Sequence, residues 1–140
     1  MNASTSAPPK VGDELPGFTA PALTRHALAL YCGASGDHNP IHVDIDFARD
    51  VAALDDVIGH GMLTMAYLGR VLTDWVPQTW IRRFSTRFLL PTKVGDRIQC
   101  SGRVIETSGG PHPVVTVELK AVRQDGELLA RGRAEIVWWS

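Results

Sequence analysis

The 140-residue sequence predicts an α+β fold in which an antiparallel sheet wraps around one long central helix. Apolar residues recur at helical spacing in the first half of the chain. From Trp80 onward the spacing changes to two, and four alternating stretches follow one another with turn sequences between them. Helices followed by a run of strands are typical of α+β proteins, and this order suits a sheet that curls around the longest helix.

The first half is predicted to contain a short strand and three helical segments. The strand lies within residues 11–22. Thr24 is suited to cap a helix over residues 25–33, because its side-chain oxygen can accept a hydrogen bond from a free N–H of the first turn. A second helix or helical turn is predicted over residues 45–54. The longest helix covers residues 62–76, where apolar and small side chains form one wide face.

The second half is predicted to form four strands, at residues 80–90, 98–104, 115–121 and 128–138. Asp125-Gly126, between the last two, is a preferred sequence for a tight hairpin turn. These strands and the N-terminal one would enclose the long helix, whose small residues Ala66 and Gly69 would let the sheet approach closely. This arrangement is the hot-dog fold.

Composition and charge limit the classes of function. Hydrophobic residues make up 44% of the chain and charged residues 21%, which is ordinary for a soluble globular protein, and residues 11–140 fit one domain. The net charge of -1 does not indicate a nucleic acid or a membrane surface as partner. Residues 1–10 are rich in Ser, Ala and Pro and lack an apolar signal core, so we expect a disordered leader. We also expect a cytoplasmic location, in which Cys32 and Cys100 stay reduced.

A carboxylate, an amide and two imidazoles lie within eight residues of the sequence, from Ser35 to His42. Asp37 and His42 are five residues apart, and Pro40 between them prevents a regular helix. Their side chains can therefore meet only if the chain turns. A carboxylate and an imidazole that meet at one point can act as a general acid–base pair.

Two other interpretations of this stretch stay open. Asp, Asn, Gly and Pro are also the ordinary residues of turns. His38 and His42 are four residues apart, a spacing that places two histidines on one face of a metal-binding helix. Pro40 argues against that helix and no third ligand has a convincing spacing, so we rank catalysis ahead of a structural turn and metal binding third.

The stretch from Gly36 to His42, followed by Ala48, resembles the signature of the MaoC-like dehydratases, the (R)-specific enoyl-CoA hydratase (hydratase 2) family. Tyr31 matches the tyrosine that opens this signature. Two further elements of the family follow in the expected order. They are the turn His60-Gly61-Met62 at the start of the long helix and a looser aromatic-Pro-x-x-x-Gly-Asp match over residues 88–96.

The resemblance implies a hot-dog fold and the reversible hydration of a trans-2-enoyl thioester to a (3R)-hydroxyacyl thioester. The thioester would be carried by coenzyme A or acyl carrier protein. Asp37 and His42 would be the acid–base pair, and Gly61 would bind the thioester oxygen at the helix N-terminus, where backbone N–H groups are free. The family also implies a homodimer. We predict that neither a metal nor a cofactor takes part.

Three more residues are candidates for the substrate-binding side of the site. Asn39 is expected to organise the loop or contact the site, because its amide can form hydrogen bonds in either place. His60 would either line the pocket or act as a capping or structural residue. Met62 is a candidate for an apolar acyl slot, together with Met65, Phe84 and Phe88.

Two other functions compete with the hydratase hypothesis. A hot-dog acyl-CoA thioesterase would have no need of the Asp37–His42 spacing, and release of free thiol would identify it. A non-catalytic acyl-binding partner subunit of a heterodimeric dehydratase should lack the Asp or the His, whereas this chain has both.

Overall fold

The computed structural model describes residues 7–139 and contains a five-stranded antiparallel sheet with three α-helices. In chain order the elements are β1 (Phe18–Thr19), α1 (Arg25–Ser35), α2 (Ile45–Asp50), α3 (Gly61–Thr73), β2 (Ile81–Phe88), β3 (Ile98–Thr107), β4 (Val114–Arg123) and β5 (Leu128–Val137). Short 3-10 turns cover Pro40–His42 and Gln78–Trp80. The strand order is β1-β3-β4-β5-β2, which confirms the predicted α+β hot-dog fold.

Strand β3 shows why the sheet has one buried face. Its residues alternate between buried and exposed positions from Ile98 to Arg103, as the period of two requires. The buried side chains of β3, β4 and β5 pack around α3, whose residues Leu68, Val71 and Leu72 are fully buried. Gly69 lies against Phe84 of β2, where an added Cβ would be 3.4 Å from the ring. Gly69 therefore allows the close approach that was predicted, whereas Ala66 is exposed.

Two helix ends differ from the sequence prediction. Helix α1 continues through Gly33 and ends at Ser35, where Gly36 takes up a left-handed conformation with φ 75°. Helix α3 ends at Thr73, before the predicted limit at residue 76. Val76 is apolar and buried, so it matches the helical spacing. Its side chain nevertheless packs into the core from the turn that follows the helix.

A second, smaller cluster of buried side chains holds α1 and α2 beside the main core. It consists of Leu23, Leu28, Ala48 and Val57. The Gly-Asp pair at residues 95–96 ties this cluster to the sheet: the buried Asp96 accepts a hydrogen bond from the Lys93 N–H, and its carbonyl accepts one from Leu23. The Gly-Asp end of the family pattern therefore has a structural role, because it connects the smaller cluster to the sheet.

Two sequence predictions concern the ends and the location of the chain. The predicted leader over residues 1–10 falls mainly on residues 1–6, which lie outside the described residues, so it stays a prediction. Within residues 7–139, no helix combines the length and the apolar character needed to cross a membrane.

Gly17 offers a test of how closely β1 must approach β3. A Cβ at this exposed position would lie 2.6 Å from the backbone oxygen of Cys100, so an alanine must push the two chain segments apart. We expect Gly17→Ala to lower the free energy of unfolding by about 1–3 kcal/mol. Gly109→Ala is the control, because no atom lies within 4 Å of its Cβ position. Equal denaturation midpoints for the two variants would contradict the proposed packing.

Candidate active site

The loop between α1 and α2 makes the turn that brings Asp37 and His42 together. Side-chain oxygens of Asp37 and Asn39 each accept a hydrogen bond from a backbone N–H two residues later, at 3.2 Å. Pro40 then opens the 3-10 turn that ends at His42. Asn39 is exposed, and its side chain organises this loop, one of its two predicted uses.

Asp37 and His42 face each other across a gap. The His42 Nε2 atom lies 3.9 Å from Asp37 Oδ2, which is too long for a direct hydrogen bond and suits one bridging oxygen atom. The His42 Nδ1–H group donates to the carbonyl of Ile58 at 2.7 Å. The neutral ring must then carry its lone pair on Nε2, on the side of Asp37. His42 is 7% exposed, whereas half of the Asp37 side-chain surface is accessible.

His60 lies directly beneath the pair. Its ring stacks on that of His42 with centroids 3.8 Å apart, and Nε2 lies 3.2 Å from the carbonyl oxygen of Asp37. The ring is 1% exposed, and burial holds its pKa below the ordinary value of 6.5 against the opposing effect of the Asp37 carbonyl. Although His60 is the N-cap residue of α3, its side chain makes no capping bond. Of the roles that the sequence left open for His60, pocket lining or a capping or structural role, side-chain capping of α3 is not observed.

The other ring nitrogen of His60 has no hydrogen-bond partner. Nδ1 is fully buried and unpaired within residues 7–139. An unsatisfied buried polar atom typically costs about 1–3 kcal/mol. An apolar side chain at this position would avoid that cost. The presence of an imidazole here therefore indicates a function for the ring.

A cavity of about 340 Å³ opens beside His42 at the N-terminal end of α3. Its lining consists of His42, Ile58, Gly59, Gly61, Thr64, Phe88, Leu89, Leu90, Pro91, Thr92 and Leu129. Gly61 is the first residue of α3, so its N–H has no partner inside the helix and carries the positive end of the helix dipole. The cavity is therefore apolar on most sides, with an imidazole and a helix N-terminus at one end.

The other sequence-predicted residues lie in different places. Met62 is 54% exposed and is not among the residues that line this cavity. Of the four side chains predicted for an acyl slot, Phe88 lines the cavity, and Phe84 lines a separate groove with Gly69 and Ile81. Sequence reasoning missed Ile58, whose carbonyl orients His42, because a backbone acceptor leaves no signal in residue types.

A metal ion is the main chemical alternative for this cluster. Asp37, His42 and His60 each offer a ligand atom, and these atoms lie within 4.8 Å of one another. A metal must lie close to the plane of each imidazole that binds it, about 2.0 Å from the nitrogen. The two rings are stacked with only 23° between their planes, so their lone pairs do not converge on one point. The arrangement favours acid–base chemistry over metal binding.

The sequence matches the family described as "MaoC like domain" over residues 9–124. The chain belongs to the MaoC-like domain family. It is 29% identical over 112 residues to the (R)-specific enoyl-CoA hydratase of Aeromonas caviae, a match that covers 78% of this chain and 81% of that enzyme. A solved (R)-hydratase structure from A. caviae superposes with a TM-score of 0.80 at 25% identity, covering 98% of this chain and all of that one.

Some relatives of this MaoC-like chain are matched over only part of their length. The mouse peroxisomal multifunctional enzyme type 2 is 32% identical over 102 residues, which cover 68% of this chain and only 14% of that enzyme. The match to the (R)-specific enoyl-CoA hydratase of Rhodospirillum rubrum covers 56% of that protein at 29% identity. This domain therefore occurs both as most of a protein and as one part of a larger one.

Added zinc tests the metal alternative. A metal that binds only the folded state stabilises it by about 2.7 kcal/mol at 100 times its dissociation constant. We expect neither zinc nor prolonged chelation to change the melting temperature of the MaoC-like chain, since the stacked rings cannot share an ion. A saturable rise in melting temperature with zinc, absent from His42→Ala, would reverse this interpretation.

Proposed function

We propose that this chain catalyses the reversible hydration of a trans-2-enoyl thioester to the (3R)-hydroxyacyl thioester. The observation that carries the proposal is the Asp37–His42 pair, in which an Nε2 lone pair and a carboxylate oxygen face one 3.9 Å gap. The names of the relatives support the same reaction class. Either coenzyme A or acyl carrier protein can present such a thioester.

The pair fits a reaction that adds one water molecule to a double bond. A water molecule between Asp37 and His42 can give its oxygen to C3 while a proton is delivered to C2. The hydroxyl and the hydrogen then add to one face of the substrate, and the reverse sequence removes water. Water is the only molecule added or released, and there is no redox change, so the reaction needs no further reactant.

Gly61 is suited to stabilise the charge that develops on the thioester oxygen. As C3 is attacked, the thioester becomes an enolate, and its oxygen needs hydrogen-bond donors. The free N–H at the start of α3 is such a donor, and one donor of this kind typically contributes about 3 kcal/mol to transition-state stabilisation. Gly61 has no Cβ, so the space in front of this N–H stays open. A Cβ added to Gly61 would lie 3.4 Å from the Phe88 ring.

Substitution of the pair tests the shared-water mechanism. Asp37→Asn and His42→Ala should each lower kcat by roughly 100- to 10,000-fold, the usual range for one acid–base group. The double variant should be hardly worse than either single variant, because groups that act as a unit have non-additive effects. Loss of enoyl-thioester absorbance measures turnover, and a parallel assay for free thiol detects thioester hydrolysis.

His38→Ala is the matched control for these variants. His38 lies in the same loop but is exposed, so its removal should leave kcat close to that of the wild type. Thermal melts of all variants separate loss of fold from loss of chemistry. Near-normal turnover in Asp37→Asn, or losses that multiply in the double variant, would sink the mechanism. Thiol release without hydration would favour a thioesterase instead.

We further propose that the chain acts as a homodimer. Within residues 7–139, strands β1 and β2 each have one neighbour in the sheet, so each leaves an edge unpaired. The eight-residue edge of β2 is long enough to pair with a second strand, and proteins normally cover such edges. Light scattering at micromolar concentration should give twice the chain mass. A fully active monomer, or assembly only with a different chain, would contradict the homodimer.

A cytoplasmic location also fits this proposal. Cys32 and Cys100 are free, buried cysteines. Burial raises the pKa of the Cys100 thiol to about 12, which keeps it in the unreactive protonated form at neutral pH. Free thiols of this kind are usual in the reducing cytoplasm.

A further inference from the structure

We propose that His60 is a positioning residue, which fixes Asp37 and His42 relative to each other and does not bind substrate. This role rests on the proposed hydratase function, because it concerns the same pair. It assigns a use to an imidazole that is buried, does not line the cavity and does not cap its helix.

His60 contacts both members of the pair, each through a different part of its ring. The flat face stacks on His42, with centroids 3.8 Å apart, and thereby restricts the tilt of that ring. The Nε2 edge lies 3.2 Å from the Asp37 carbonyl oxygen and holds the backbone from which the carboxylate projects. The Tyr31 ring packs against His60 in an edge-to-face arrangement, with centroids 4.7 Å apart, and limits movement of the imidazole.

These contacts determine the tautomer of His60. A carbonyl oxygen can only accept, so Nε2 must carry the proton and Nδ1 the lone pair. Cys32 Sγ, 3.4 Å from the same Nε2, is a second, weak acceptor. The unpaired Nδ1 is therefore an acceptor that no donor within residues 7–139 reaches. A phenylalanine would offer the stacking face and a glutamine the N–H donor, whereas a neutral imidazole offers both.

The surroundings also favour the neutral form of His60. The titratable groups that face His60 are Tyr31, Cys32, Asp37 and His42. Burial lowers the pKa of His60, and His42 acts in the same direction. A neutral His60 can donate through Nε2 and stack on His42 without adding a charge beside the pair.

Two substitutions separate the two contacts. His60→Phe keeps the stacking face and removes the donor, whereas His60→Gln keeps an N–H at about the position of Nε2 and removes the ring. We expect His60→Phe to lower kcat roughly 100-fold, since a displacement of about 1 Å in a reacting group has that effect. KM should stay within about twofold, because no substrate contact is lost. His60→Gln should have a higher kcat than His60→Phe, because its N–H can still donate to the Asp37 carbonyl.

The matched control is Val115→Ala, which removes buried side-chain volume from β4 at a position outside the cavity lining. It should lower the melting temperature but leave kcat unchanged. A rise in KM at constant kcat in His60→Phe would overturn the proposal in favour of a substrate contact. Wild-type kcat in both His60 variants would overturn it as well.

Nitrogen-15 NMR of the histidine rings tests the same role without substrate. The wild-type spectrum should show His60 as the neutral Nε2–H tautomer at pH 7, and His60→Phe should shift the ring signals of His42. Val115→Ala should leave those signals in place. An Nδ1–H tautomer, or unchanged His42 signals in His60→Phe, would refute the positioning role. If the wild type hydrates no enoyl thioester while the NMR results hold, the proposed reaction fails and the structural role of His60 stands.

Discussion

The hydrogen bond from His42 Nδ1–H to the carbonyl of Ile58, at 2.7 Å, is the contact on which the rest of the site depends. It satisfies a polar atom that burial would otherwise leave unpaired, and it leaves Nε2 as the basic nitrogen. Ile58 also donates its N–H to the Ile41 carbonyl at 3.1 Å and forms an isolated antiparallel bridge with Lys93. One residue thus joins the loop of the pair to the connection between β2 and β3.

The residues that follow Ile58 are constrained by this attachment. Gly59 donates to the Thr92 carbonyl at 2.9 Å, and a Cβ on Gly59 would lie 1.9 Å from the Thr92 hydroxyl oxygen. Only glycine fits that approach. The chain then has two residues in which to turn from this bridge into α3, so His60 is directed inward and Gly61 starts the helix at the cavity. The close packing of Gly59 against Thr92 therefore also determines the position of the N-terminus of α3.

The local features of the site could be predicted from the sequence, whereas its long-range contacts could not. Pro40 excludes a helix between Asp37 and His42, so their approach through a turn follows from residue types close in the chain. The stacking of His60 on His42 joins residues 18 positions apart, and no periodicity encodes it. Met62, in the first turn of α3, is 54% exposed, which the apolar spacing of the helix does not indicate.

The cavity combines one rigid wall with one that can adjust. His42 lines the cavity, and it is buried, stacked on His60 and hydrogen-bonded to Ile58, so this wall has little freedom. Phe88, at the end of β2, is 47% exposed, and rotation of its ring gives up few packing contacts. The Leu89 N–H donates a hydrogen bond to the Leu129 carbonyl at 2.9 Å, which fixes the backbone next to Phe88. The Phe88 ring itself can still rotate. The shape of the cavity can therefore change on the Phe88 side without a change in the distance between Asp37 and His42.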